Sequence, residues 1–163
     1  DLVSWLCVVL LLIVNGKIVA SGELLEVLSR LDLPLLSGSN AGSVIYAKPQ
    51  RFDFVLDLTE LGFSGGVLCV PGRYEERAKS VRLRIAAQDV SICLKRPDAT
   101  TILNVLVAEI DDVQAVGPSS ALIRLAVGTE YLLALITRRS VARLQLKQGD
   151  AVYAQVKSVT VRH

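Results

Sequence analysis

Hydrophobic and polar positions follow two rhythms along this 163-residue chain. From residue 43 onward they alternate with a period of two. Val81-Arg82-Leu83-Arg84-Ile85 puts apolar side chains on one face and arginines on the other, the pattern of a half-buried strand. Ala121, Ile123, Leu125 and Val127 alternate with Leu122, Arg124 and Ala126, and Val152 to Val161 continues the pattern around Tyr153, Gln155 and Lys157. Turn residues punctuate these runs at Gly65-Gly66, Pro71-Gly72, Pro97-Asp98, Gly117-Pro118, Gly128 and Gly149-Asp150. Short strands broken at such spacing predict a mainly β fold, a small barrel or sandwich. The exception is Arg138 to Leu146, where Val141 and Leu144 stand three apart and predict one or two helical turns. A barrel of about five strands closed by a short helix is an OB-like architecture.

Before residue 43 the rhythm changes. Leu2 to Val14 is almost wholly apolar, but a run of about thirteen residues falls short of the roughly 20 that a spanning helix needs. Asn15-Gly16 follows it, a pair that accepts positive φ at both positions and predicts a hairpin. The run is therefore expected to be a buried strand ending near Val14, paired with a second strand through Ile18 and Ala20. Ser21 is expected to cap a short helix, with Glu23 in its first turn and Leu24, Leu25, Val27 and Leu28 on its apolar face. Pro34 ends that pattern, and residues 37–42, rich in Ser and Gly, read as a linker. The expected organisation is a strand-hairpin-helix unit at 1–36, the linker, a β-rich stretch at 43–98 and a small barrel at 99–163. The chain opens on Asp1 rather than methionine and carries no basic signal region, which suggests a fragment.

Composition narrows the chemistry. With 52% hydrophobic residues the chain can bury a real core, and disorder is excluded. Its 18 basic and 16 acidic residues leave a net charge of +2, too balanced for a domain held to nucleic acid by phosphate neutralisation. Aromatic residues make up 5% and are scattered, so a base-stacking platform is not expected. Cys7, Cys69 and Cys93 are odd in number and widely spaced, which reads as three reduced thiols. The one histidine, His163, stands at the end of the chain, so a histidine base or metal cluster is not expected. No phosphate-cradling loop is present, and neither Asp111-Asp112 nor Glu75-Glu76 reads as a catalytic pair.

Residues 100–163 resemble a Mop-type (TOBE) oxyanion-binding domain, as found at the carboxy-terminal end of molybdate-transporter ATP-binding subunits. The resemblance is carried by Thr101-Ile102-Leu103-Asn104-Val105-Leu106, by Leu135 to Leu144 around Thr137-Arg138-Arg139-Ser140, and by Ala154-Gln155-Val156-Lys157-Ser158-Val159. Val81 to Leu94 is similar to the region preceding that domain, and residues 11–36 are similar to the end of an ABC ATPase domain, beyond its catalytic motifs. Residues 44–80 match only loosely.

The resemblance implies an OB-like TOBE fold and a molybdate or tungstate ligand, with no other cofactor, held between subunits. Carried over by match, the contacting residues are Thr101, Thr137, Ser140, Lys157 and Ser158. Thr137 and Ser140 would open the short helix, where free N–H groups favour an anion, and Lys157 would supply the charge. Leu103 departs from the pattern: many relatives have arginine there, and its loss removes a cation with a fork of donors. Arg138 or Arg139 could compensate. The implied partners are a second copy of the subunit and, through the parent protein, a membrane permease at the inner face of the cell membrane. The implied role is a regulatory and dimerisation region that does not itself hydrolyse ATP. A structural dimerisation module that has lost its ligand is the alternative that Leu103 favours. A stand-alone molybdate-storage protein is opposed by the ATPase-like lead-in.

Overall fold

The structure, a computed structural model, describes residues 9–14, 17–23, 41–74 and 80–162. At the amino-terminal side β1 (Val9–Val14) pairs antiparallel with β2 (Lys17–Glu23), with Val14 opposite Lys17, as the Asn-Gly pair predicts. β2 runs on through Ser21, Gly22 and Glu23, so Ser21 is a strand residue and not a helix cap. Pairing with Leu11, Leu10 and Val9 takes up these three residues, and the sequence signal for capping loses to it. The rest of the expected helix and linker, residues 24–40, lies outside the described residues. The strand is not buried as expected: Val9, Leu11 and Ile13 of β1 and Ile18 of β2 are exposed, because among the described residues this hairpin pairs with no other strand.

The remainder forms two curled five-stranded sheets, the half-barrels of an OB-type fold. The strands are β3 (Gly42–Asp53), β4 (Leu58–Phe63), β5 (Gly66–Pro71), β6 (Val81–Ala86), β7 (Val90–Cys93), β8 (Asn104–Val116), β9 (Ser120–Val127), β10 (Glu130–Thr137), β11 (Ala151–Val156) and β12 (Thr160–Arg162). A single helical turn, Ala87–Asp89, joins β6 to β7, and α1 (Arg138–Leu144) follows β10. One sheet has the order β12-β6-β3-β4-β5 and the other β7-β11-β8-β9-β10. The two orders are topologically identical. In each, a long strand leads into a tight hairpin, a return strand flanks the long strand, and the outermost short strand comes from the other half of the chain. β7 pairs with β11, and β12 pairs with β6. The boundary expected at 98/99 therefore divides the sequence but not the sheets, since each half completes its neighbour.

Alternation along the strands fixes which face is inside. β6 buries Val81, Leu83 and Ile85 and leaves its arginines part-exposed. β9 departs from strict alternation because Leu122 is buried on the outer face, against Ala41, Ala87 and Leu133. The alternation expected through Val152 to Val161 breaks at 157–159, where the chain crosses to the other sheet and the Lys157 N–H donates to the Asp89 carbonyl at 2.8 Å. The main core is continuous between the sheets: Ile45, Leu61 and Leu83 from one pack in the same cluster as Ile110, Leu125 and Leu132 from the other.

Polar contacts close the open edges. β5 and β10 are the edge strands next to their own hairpin partners, and each receives a side chain from the opposite sheet. Ser43 Oγ, buried on β3, accepts the Leu133 N–H of β10 at 2.8 Å. Asn104 at the start of β8 spans Cys69 of β5, its Oδ1 accepting the Cys69 N–H at 2.7 Å and its Nδ2 donating to the Cys69 carbonyl at 3.0 Å. Only this orientation of the amide satisfies both groups. At the far end the two hairpin turns interlock, Ser64 Oγ accepting the Thr129 N–H at 3.1 Å.

The β3–β4 turn is held by Asp53, whose Oδ1 accepts the Val55 and Leu56 N–H groups at 2.8 and 3.0 Å. These bonds, Leu56 first, hold its carboxyl below the ordinary carboxylate value. A depressed folded value contributes stability above the unfolded pKa and loses it as pH falls through the folded one. The protection of the Val55 and Leu56 amides, relative to their intrinsic exchange rates at each pH, is thus expected to fall in acid, below about pH 4. Asp53→Asn should abolish that step, and an unchanged acid step in this variant would contradict the assignment.

Candidate functional site

The implied site residues fall into two groups, one at each end of β8. At the amino-terminal end, Asn104 pairs with Val156, so the loop before β8 and the link after β11 emerge side by side. That brings Thr101 and Leu103 on the loop to the same end of the sheet as Lys157 and Ser158 on the link, all four exposed. Leu103 is 77% exposed, an apolar side chain in solvent where the resemblance implies arginine.

Thr137 and Ser140 stand at the other end. Thr137 pairs with Ser120, which pairs with Val116, the last residue of β8. Arg138 anchors α1 there, its backbone N–H donating to the Ser119 carbonyl at 2.8 Å and its guanidinium to the Pro118 carbonyl at 3.4 Å. Thirteen residues of strand separate the ends, about 40 Å of contour before curling. Within one chain the structure does not bring Thr137 and Ser140 together with Thr101, Lys157 and Ser158.

The helix start is also less open than expected. Thr137 caps α1, its Oγ1 accepting the Ser140 N–H at 3.1 Å and lying 2.9 Å from Ser140 Oγ. With Arg138 N–H given to Ser119, two of the first three helix donors are already used. Arg138 and Arg139 are exposed, as charges on a helix start usually are.

Sequence reading missed the buried polar chain behind the loop. Gln155, read as an outward residue of β11, is 7% exposed. Its Oε1 accepts the Cys93 thiol at 3.1 Å, and its Nε2 donates to Thr100 Oγ1 at 3.1 Å. Thr100 Oγ1 also accepts the Ile102 N–H at 3.1 Å. β7, arriving from the first half of the chain, pairs along the free edge of β11, and its Cys93, with Thr100 of the loop, takes up the Gln155 amide. A signal was available in Gln155 standing between Ala154 and Val156, but nothing local shows that β7 pairs beside it.

Elsewhere the Asp111-Asp112 pair is occupied, while Glu75-Glu76 lies outside the described residues. Asp111 accepts from Arg124 Nε at 2.5 Å, and Asp112 accepts the Val113 N–H at 2.8 Å. Burial, then the neighbouring Glu60 carboxylate, pushes the Cys69 thiol up, so it stays protonated near neutral pH. Among the described residues no group of three or more His, Cys, Asp and Glu could hold a metal ion. No described helix is long and apolar enough to cross a membrane.

The family model for the TOBE domain matches residues 100–162. These residues form a TOBE domain. The match begins at Thr100 and reaches Arg162, so the TOBE domain includes the polar loop and β12 but not β7, the strand that completes its sheet. Over nearly its whole length the chain is similar to proteins named molybdenum import ATP-binding protein ModC. Identity is 40% over 161 residues with that of Albidiferax ferrireducens, covering 99% of this chain and 44% of the relative. It is 39% over 153 residues with that of Hahella chejuensis, covering 93% and 43%. The chain thus spans less than half the length of these relatives and matches their C-terminal portion. Among solved structures it is similar to the cytoplasmic molybdate-binding protein ModG in a molybdate-bound crystal form. The TM-score is 0.59 at 18% identity, over 73% of this chain and 94% of that one, a likeness of fold.

Proposed function

We propose that this chain is the regulatory and dimerisation region of an ATP-binding subunit in a molybdate or tungstate importer, and that it binds the oxyanion between two copies. The observation that carries this reading is the split of the implied contacts between the two ends of β8. A pocket using Thr101, Lys157 and Ser158 together with Thr137 and Ser140 needs one end from each of two chains. The ModC relatives and the fold shared with a molybdate-binding protein support the choice of ligand. Hydroxyl donors with a single cation suit a tetrahedral dianion. Bound anion would favour one arrangement of the paired domains and of the ATPase domains attached to them, so that cytoplasmic oxyanion shifts the transporter's population of states. In this reading residues 1–36 belong to the ATPase domain, 37–42 are the linker to the regulatory part, its last residue, Gly42, opening β3, and the chain reaches the membrane only through the permease bound to its parent subunit. ATP hydrolysis belongs to the parent's remaining portion.

Calorimetric titration with molybdate, with sulfate and phosphate as controls, tests the proposal. Selective binding at a stoichiometry tied to a dimer is expected. Lys157→Ala should weaken it by about ten- to a hundredfold, the size of one charge-assisted contact, while the exposed position leaves the melting temperature unchanged. Unaltered affinity in that variant would overturn the assignment. The exposed Leu103 favours a second reading, a dimerisation clamp without ligand. That reading expects a dimer by light scattering and no heat at millimolar molybdate.

A further inference from the structure

We infer that Thr100, one residue before the loop position implied by the family resemblance, is a further oxyanion-contacting residue, with its hydroxyl held as a pure donor by Gln155 and the Ile102 amide. A threonine hydroxyl has one hydrogen and two lone pairs. Both lone pairs of Thr100 are engaged, by Gln155 Nε2 and by the Ile102 N–H, each at 3.1 Å. The Gln155 amide is oriented from its other side. Its Oε1 accepts the Cys93 thiol at 3.1 Å, which leaves Nε2 facing Thr100. The remaining hydroxyl hydrogen of Thr100 has no acceptor among the described residues. Thr100 is half-buried, and Gln155, which pins it, stands two residues before Lys157. The hydroxyl is thereby fixed at the end of the sheet that carries the cation, able to give a hydrogen bond and unable to take one.

This polarity bears on specificity. Molybdate and tungstate carry no proton near neutral pH and offer only acceptor oxygens. Hydrogen phosphate carries one O–H that this hydroxyl cannot accept, so only three of its four oxygens can face Thr100, whereas any oxygen of molybdate can. The preference is the same kind of discrimination that buried polar groups give when one partner is wrongly matched.

The inference rests on the oxyanion reading above, and the test separates the two. Molybdate and phosphate titrations are compared for the unaltered chain, Thr100→Val, Thr100→Ser and Gln155→Glu, with Lys157→Ala alongside. Thr100→Val keeps the shape but removes the donor, and should weaken molybdate about ten- to a hundredfold. Thr100→Ser should bind molybdate like the unaltered chain. Gln155→Glu offers Thr100 an acceptor in place of a donor, draws the hydroxyl inward and should lower the molybdate-to-phosphate preference, a ratio that a packing role would not move. Unchanged binding in Thr100→Val, or an equal loss in Thr100→Ser, would overturn the inference while leaving the Lys157 site standing. Absence of molybdate binding in the unaltered chain would overturn both.

Discussion

Replacing Asn104 by leucine is expected to destabilise the protein by about 2–4 kcal/mol, lowering its melting temperature by about 10 °C. The side chain does for β5 what a sixth strand would do. β5 is the edge of its sheet, and Cys69 turns its N–H and carbonyl away from β4 toward the Asn104 amide, at 2.7 and 3.0 Å. Leucine keeps the branched shape but leaves both groups without partners in a part-buried setting, and stranded groups cost more than the net worth of the bonds they lose. Asn104→Asp is informative beside it. Its carboxylate can still accept the Cys69 N–H but faces the Cys69 carbonyl with a second acceptor, so a loss nearly as large is expected. Ser43→Ala, at the equivalent place in the other half, strands one buried N–H, that of Leu133, and should cost about 1–3 kcal/mol. Because Asn104 and Ser43 hold opposite sheets to each other, each loss should weaken the whole two-sheet unit in denaturant titrations. An effect below about 0.5 kcal/mol for Asn104→Leu, the size of an ordinary surface change, would show that this edge contact is dispensable.

Gly128→Ala is expected to be at least as damaging, above about 3 kcal/mol. Gly128 has φ of +63°, where an L side chain is strained. A Cβ there would also lie 2.5 Å from the Ser64 carbonyl carbon and 2.6 Å from the Gly65 nitrogen, both backbone atoms of the opposing hairpin turn. Backbone cannot swing aside as a side-chain end can, so the two turns would have to separate, breaking the contact between Ser64 and Thr129. Gly117 isolates the two contributions. Its φ of +66° is nearly the same, but a Cβ there meets nothing within 4 Å. Gly117→Ala should therefore show only the conformational cost, about 1–2 kcal/mol. Equal losses at the two glycines, measured by denaturant unfolding, would mean that the hairpin turns do not need their close approach.

Much of this architecture was legible residue by residue. Period-two alternation marked β6, the Asn-Gly pair marked the join of β1 to β2, and the spacing of Val141 and Leu144 marked α1. These are local signals. A strand's inner face must be apolar whatever it packs against, and a tight turn constrains φ within two or three residues. The same local logic failed at Ser21, where a good capping residue was claimed by a strand partner ten residues earlier in the chain.

The sequence by itself determined that this is a β-rich fold with a real core, and its family resemblance singled out five positions as candidates for an anion: the hydroxyls of Thr101, Thr137, Ser140 and Ser158 and the ammonium of Lys157. The tertiary structure alone decided how they are grouped. The exchange of β7 and β12, the repeated strand order, the edge contacts at Ser43 and Asn104 and the burial of Gln155 all join residues 35 to 90 positions apart or come from such pairings. Alternation records that a face is covered but not what covers it, because an apolar strand face reads the same under any partner. For that reason Gln155 resembled an outward residue until Cys93 of β7 and Thr100 of the loop took up its amide, and the five positions implied by the resemblance looked like one pocket until β8 set them at opposite ends.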